Sequence, residues 1–463
     1  DYPFYSDENT WTLGNGSTTG MENNSWYYGK FTLFGIFARA DYAFRNKYLL
    51  TAIVRRDGSS RFAEANRYGV FPSVSLGWRL SKENFMQSLT FVNDLKLRAG
   101  YGITGNQEIP AAYNYAYTYG TDPRNFNYDI SGSNTGSFVG MRLTQFGNPE
   151  TKWEETRMTN GGIDAVLFNS ALELNFDVYK KNTSGMLVQA AYSNLAGLAS
   201  APYINIGSMK NTGFDLALTY RGKAGELRYD VTATISHYKN EVTQLDYNDA
   251  TKFYGGGESR FGYTTIITKG QPISMFYGYQ IEGIYKSYDE LKNHTRQIEI
   301  NNDSASLASD KWRASLGKFK YKNVNGDTIV NENDKTIIGN PHPDFTYSLD
   351  FNFTWKNWEL NLFFVGSQGN DVYNYVKYWT DFAGSFIGNR SKKILTDSWE
   401  FGKGDTPLPI LDINSHECNY STSYYVEDGS FLRCKNVQLS YNLPKSLLGK
   451  IGVDNMKVYG QVT

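Results

Sequence analysis

Five oxygen-bearing side chains, Asn323, Asn325, Asp327, Asn331 and Asp334, occupy positions 1, 3, 5, 9 and 12 of a short polar window. Hard cations take oxygen ligands at this spacing, which is that of an EF-hand loop. The window departs from the pattern at three places: Asn at position 1, Thr328 where a turn glycine is usual, and the shorter Asp at position 12. Two readings stay open, a structural Ca²⁺ or Mg²⁺ site and a polar turn that needs no metal. No other cofactor is called for by the residues.

Aromatic side chains form a second group that could bind. Tyr113, Tyr115, Tyr117, Tyr119, Phe126 and Tyr128 crowd one polar stretch, Phe253 and Tyr254 another, and Tyr373, Tyr375, Tyr378 and Trp379 a third. Such rings stack on sugars and pack against peptides, and equally pack on one another or on a partner protein. A third group is cationic. Arg39, Arg79, Lys96 and Arg98 lie on the polar side of neighbouring strand-like segments, where they would select an anionic substrate or pair with carboxylates that fill an interior.

Nothing here makes or breaks a bond. His237, His294, His342 and His416 are scattered, and no zinc-protease, nucleophile-elbow or Walker sequence is present, so an enzyme reading has no nucleophile or metal centre. The balance of 46 basic and 47 acidic residues gives no electrostatic case for nucleic acid. Cys418 and Cys434 are either a disulfide or two unrelated thiols.

These residues must be positioned by strands. From Phe345 to Trp355, the side chains of Phe345, Tyr347, Leu349, Phe351, Phe353 and Trp355 share one face, and Thr346, Ser348, Asp350, Asn352 and Thr354 share the other. A soluble sandwich shows such alternation, but rarely with so aromatic a side. At about 3.4 Å per residue and a tilt near 45°, such a strand rises roughly 26 Å, the height of an outer-membrane barrel's apolar band. The same period of two recurs at 31–44, 48–56, 73–80, 95–104, 153–168, 172–178, 213–220, 227–241, 358–366, 430–443 and 456–463, giving twelve segments in all. No apolar run reaches the length of a membrane helix, and mean hydropathy is negative because lipid-facing and interior-facing positions average out.

The connections alternate in length. Residues 45–47, 169–170, 222–226 and 356–357 are tight polar turns, whereas 105–151, 187–204, 242–344 and 367–429 are long. Outer-membrane barrels keep short turns in the periplasm and long loops outside, which orients the chain. Linkers 81–93 and 444–455 belong to the periplasmic end yet are longer, with room for a helical turn. Phe44 and Tyr48 bracket one turn and Trp355 and Trp358 another, as a girdle at the membrane interface requires. The expected fold is all-β, a transmembrane antiparallel barrel of which these strands are a part, because free edges in lipid leave N–H and C=O groups unpaired.

Several motifs are more specific. The run Tyr48 to Phe62 (YLLTAIVRRDGSSRF), Phe71 to Arg79 (FPSVSLGWR), Leu95 to Gln107 (LKLRAGYGITGNQ), Asn205 to Met209, Phe276 to Tyr279, Asn340 to Pro343 and Tyr425 to Arg433 together resemble the SusC/RagA family of TonB-dependent outer-membrane transporters. The resemblance spans the chain. It implies a barrel of about 22 strands around a plug domain, with residues 1–463 as the C-terminal part of the barrel and the plug, first strands and last strand expected elsewhere. It also implies active import of an oligosaccharide or peptide, a SusD-like surface lipoprotein as partner, and energy from TonB-ExbB-ExbD. Under it, Arg39, Arg79, Lys96 and Arg98 would meet plug carboxylates. The rival expectation is a passive or adhesive surface barrel.

Overall fold

Alternating side chains commit these segments to strands, and in a computed structural model all twelve join one antiparallel sheet. The structure describes residues 31–109, 113–120, 127–128, 132, 138–189, 197–245, 252–257, 260–293, 316–385, 388–413, 417–449 and 452–463. In chain order the strands are β1 (Leu33–Phe44), β2 (Tyr48–Ser59), β3 (Tyr68–Arg79), β4 (Val92–Asn106), β5 (Glu154–Leu167) and β6 (Leu172–Gln189). The remainder are β7 (Tyr203–Ala224), β8 (Leu227–Gln244), β9 (Phe345–Trp355), β10 (Trp358–Gln368), β11 (Phe431–Asn442) and β12 (Lys457–Val462). Each pairs with its sequence neighbour, so the topology is a plain meander. Among the described residues the sheet stays open, with β1 and β12 at its edges. Among the described residues no helix is long and apolar enough to cross a membrane, which says nothing against crossing by strands.

Register fixes the faces. Opposite residues point the same way, and Phe44↔Tyr48↔Trp78, Tyr42↔Leu50↔Leu76 and Ala40↔Ala52↔Val74 run across β1, β2 and β3 as rows of apolar side chains. The other face carries Asp41↔Thr51, Arg79↔Lys96↔Asp164 and Asp350↔Thr232. At the short-turn end the apolar face closes in rings: Phe44 stacks on Tyr48 at 6.4 Å, Tyr48 on Trp78 at 6.3 Å, and Trp358 meets Tyr441 at 4.7 Å. Turn chemistry supports the tightness. Arg45 and Asn46 both take positive φ, 51° and 56°, the left-handed pair whose twist matches that of flanking strands.

Two strands exceed expectation. β6 has 18 residues and β7 has 22, so the connection expected over 187–204 begins only after Gln189. The extension runs through Lys180, Lys181, Asn182, Thr183 and Ser184, paired with Thr212, Asn211, Lys210, Met209 and Ser208. Those residues carry no apolar alternation and left no periodic signal. Cross-strand backbone bonds, not side-chain pattern, hold the wall where it rises beyond the lipid band.

Candidate functional site: the inner wall and the outer lobe

The inner face divides by chemistry. On β4, β5 and β6 it is ionic: Arg98 spans three strands, its Nε donating to Asp164 at 2.9 Å and its Nη1 and Nη2 to Asp177 at 2.9 and 2.8 Å. Lys96 adds a 2.7 Å ion pair to Asp164. Gly162 lies opposite Arg98 on the same face, and a Cβ there would stand 2.4 Å from Asp177 Oδ1 and 2.8 Å from the guanidinium. The glycine makes room for the ion pair. On β9, β10 and β11 the same face is carboxamide: Asn361 donates to Asp350 at 2.6 Å and Asn352 at 2.8 Å, and accepts from Asn436 at 2.6 Å.

Thus Lys96 and Arg98 are placed inward, but their charge is engaged by two carboxylates of the wall. Arg39 pairs with Asp41 at 2.7 Å, and Arg79 donates to Asn46 at 3.1 Å. Asp164 and Asp177 are inner-face partners of these cations that sequence reasoning passed over. Their signal was available, since Asp177 follows Phe176 at a polar position of an alternating segment, but a lone acid there names no partner.

At the long-loop end the described residues of the two largest connections, 245–344 and 369–430, fold into one lobe. Its core holds Phe261, Tyr279, Phe319, Tyr321, Tyr378, Phe382, Trp399 and Tyr425, drawn from both connections. Backbone bonds stitch them: Tyr279 N donates to Ser421 O and Ser423 N to Tyr279 O, both at 2.9 Å, and Ile410 N to Gly317 O at 2.8 Å. Gly278 permits the approach, because a Cβ there would lie 2.3 Å from Ser421 O. Electrostatics follow packing. Burial, reinforced by its 2.6 Å bond to Asp381, pushes the Tyr424 phenol up. Glu427 is held below its usual range, chiefly by a hydrogen bond from Lys377. A smaller assembly joins the other long loops, where the buried Asn114 donates to Thr151 Oγ1 at 2.7 Å and to Tyr203 O at 2.8 Å.

The expected ligand-contact aromatics separate by burial. Tyr378 is buried, with Phe261 at 5.2 Å, Tyr375 at 5.6 Å and Trp379 at 4.8 Å around it, so no face of its ring is left for a ligand. This corrects the expectation at that residue: its ring is needed for the core. Tyr375 and Tyr373 are half-buried against the same cluster, and Trp379 lies beside Arg260 at 5.1 Å. Tyr117, Tyr119 and Tyr254 are exposed, while Tyr113 and Tyr115 meet edge to face at 6.4 Å. Phe253 is half-buried in the strand Lys252–Gly255. Phe126 lies outside the described residues. Tyr128 is described only as backbone in a short strand with Phe138 opposite.

The window 323–334 is a turn held by its own oxygens. Asp334 is fully buried; its Oδ1 accepts from Val324 N at 2.8 Å and Asn325 N at 3.3 Å, and its Oδ2 from Asn331 N at 2.8 Å. Asn323 Oδ1 accepts from Gly326 N at 2.7 Å, Asp327 Oδ1 from Ile329 N at 2.8 Å, and Asn331 Oδ1 from Asn333 N at 2.9 Å. Among the described residues no group of three or more His, Cys, Asp or Glu is placed to hold a metal ion. The side-chain oxygens at these positions accept from backbone N–H groups of the turn itself. Cys418 is buried in the lobe and Cys434 is exposed on β11, and no disulfide joins them.

The wall and lobe have known counterparts. Residues 1–455 match the family described as TonB dependent receptor-like, beta-barrel. TonB-dependent receptor P3 of Formosa agariphila is 30% identical over 458 residues, 98% of this chain and 43% of the relative. TonB-dependent receptor SusC of Bacteroides thetaiotaomicron is 28% identical over 89% of this chain and 38% of its own length. The solved RagAB peptide transporter superposes with a TM-score of 0.75 at 25% identity, covering 99% of this chain and 46% of that one. The chain therefore spans under half the length of the relatives it matches. Its greasy outer face, ion-paired inner face and long-loop lobe are those of a bacterial outer-membrane barrel, and the chain belongs to the TonB-dependent receptor β-barrel family, in its SusC/RagA group.

Proposed function

We propose that this chain forms much of the wall and the outer lobe of an active importer that carries an oligosaccharide or a peptide across the outer membrane. A SusD-like lipoprotein would sit on the long-loop end, and TonB-ExbB-ExbD would supply energy through parts of the receptor beyond this chain. The observation that carries the reading is the division of the wall into a lipid face and a hydrogen-bonding inner face, topped by a lobe made from two loops. A passive adhesin needs neither an inner face lined with ion pairs and carboxamides nor a lobe fused from connections on opposite sides of β9 and β10. The relatives agree in kind: RagAB is a peptide transporter, and its structures include closed-closed and open-open states. The protein performs no covalent step. Arg39, Arg79, Lys96 and Arg98 stand on the face against which a plug would pack.

The test is uptake of labelled oligosaccharides and labelled peptides by cells carrying the whole receptor. Accumulation of one class that stops when the TonB system is deleted supports active import. Accumulation unchanged by that deletion gives the passive barrel its case.

A further inference from the structure

The linker between β3 and β4 breaks the rule of short periplasmic turns, and its residues explain why. It folds as two successive 3₁₀ turns, Leu80–Lys82 and Asn84–Met86. Backbone bonds run through it in i→i+3 steps: Glu83 N to Leu80 O at 2.9 Å, Met86 N to Glu83 O at 3.0 Å, Leu89 N to Met86 O at 3.0 Å and Val92 N to Leu89 O at 3.0 Å. Much of the backbone polarity is thus satisfied internally, as a segment must arrange when it leaves bulk water.

Its side chains sort in the same sense. Glu83 accepts from Trp78 Nε1 at 3.1 Å, Tyr48 Oη at 2.9 Å and Lys47 Nζ at 3.0 Å. Tyr48 and Trp78 belong to the outward-facing girdle, so the carboxylate sits at the polar tips of the girdle and pins the linker to the outer rim. Phe85 follows two residues later and is 64% exposed, near-maximal waste for a phenylalanine in water. Phe91 and Phe168, stacked at 5.8 Å and also exposed, add apolar surface at the same end of the sheet, where Lys82 of the linker and Arg45 of the β1–β2 turn are exposed as well.

We propose that residues 80–91 form an interfacial membrane anchor, with Phe85, Leu89 and Phe91 seated in the periplasmic leaflet of the outer membrane and Glu83 as the clip that orients them. The occupant is phospholipid because Glu83 ties the linker to the lipid-facing girdle and the same end of the sheet carries exposed cations able to meet phosphate headgroups. This rests on the barrel orientation above, and on no property of the transported substrate.

The experiment places a nitroxide at Phe85→Cys in the whole receptor, with Cys418→Ser and Cys434→Ser, reconstituted in phospholipid bilayers. Collision rates are measured with oxygen, which concentrates in lipid, and with a nickel chelate, which stays in water. Faster collision with oxygen than with the chelate at residue 85 is expected. The reverse order means the segment stands in the periplasm and overturns the anchor. Low access to both means that protein covers the patch, which overturns it equally. Glu83→Ala should then raise the chelate collision rate at residue 85 while a label on Leu76→Cys in β3 keeps its lipid signature; an unchanged rate removes the clip. If the label at residue 76 itself reports water, the orientation has failed and not the anchor.

Discussion

The wall and the lobe use the same residues in opposite directions. In the wall, Phe351 and Phe353 stack at 6.3 Å on the face turned away from the interior, and Asp350 and Asn352 point inward. In the lobe, Phe261 and Tyr425 lie 4.6 Å apart at the centre of a core, and a charged group that is buried there is bonded, as Asp381 is by Tyr424 at 2.6 Å. The solvent decides. A strand surrounded by hydrocarbon gains nothing by hiding its rings and must instead satisfy its polar side internally, whereas a loop in water folds only if it buries apolar surface. One chain therefore carries two folding rules, switching between them at each crossing of the membrane surface.

That contrast can be broken most strongly in the lobe. Tyr425→Ala removes a fully buried ring that touches residues from both long connections, and should cost the lobe about 3–5 kcal/mol. Limited proteolysis should then cut within 245–344 and 369–430 while the barrel keeps its heat-modifiable migration on gels. Loss of barrel migration would show that the lobe is not a separate cooperative unit. In the wall, Phe351→Arg places a charge on the lipid face and should cost about 2–4 kcal/mol, seen as a lower assembled fraction in outer-membrane preparations. Equal assembly of this variant and the parent would mean that the faces are reversed.

Smaller effects sharpen the inner face. Arg98→Leu leaves Asp164 and Asp177 close together without their shared cation. Because these side chains are 25–29% exposed, the full buried-pair penalty is discounted to about 1–3 kcal/mol, read as a lower denaturant midpoint. Replacing Lys96, Arg98, Asp164 and Asp177 together by apolar residues should restore much of that loss. The smallest effect is expected at 323–334: titrating Ca²⁺ into the folded receptor should give no heat assignable to this turn, and Asp334→Asn, which keeps the shape but weakens the accepted bonds, should loosen the turn with or without Ca²⁺. Heat that vanishes in Asp334→Asn would support the metal reading.

Legibility followed pattern. Phe345–Trp355 was readable to the residue because its two faces differ at every position. The upper halves of β6 and β7 were not, since Lys180, Lys181, Asn182 and Thr183 alternate nothing, and only pairing reveals them. The four inner-face cations could be placed by parity, but Asp164 is 66 residues from Arg98 and its role exists only once β4 and β5 are adjacent. The loop aromatics were visible as a group. Which of them are core, like Tyr378, and which are open, like Tyr119, depends on Phe261 and Tyr425 arriving from other parts of the chain.

By itself the sequence determined the wall: the period of two, the alternation of short and long connections and the motifs of the family. These are local quantities, set by neighbours two residues apart. The tertiary structure alone decided the pairing of Arg98 with two acids, the fusion of two loops into one lobe and the turning inward of the 323–334 oxygens. Each depends on contacts between strands or loops, or on where side-chain oxygens point in a folded turn, and a period along the chain encodes none of these.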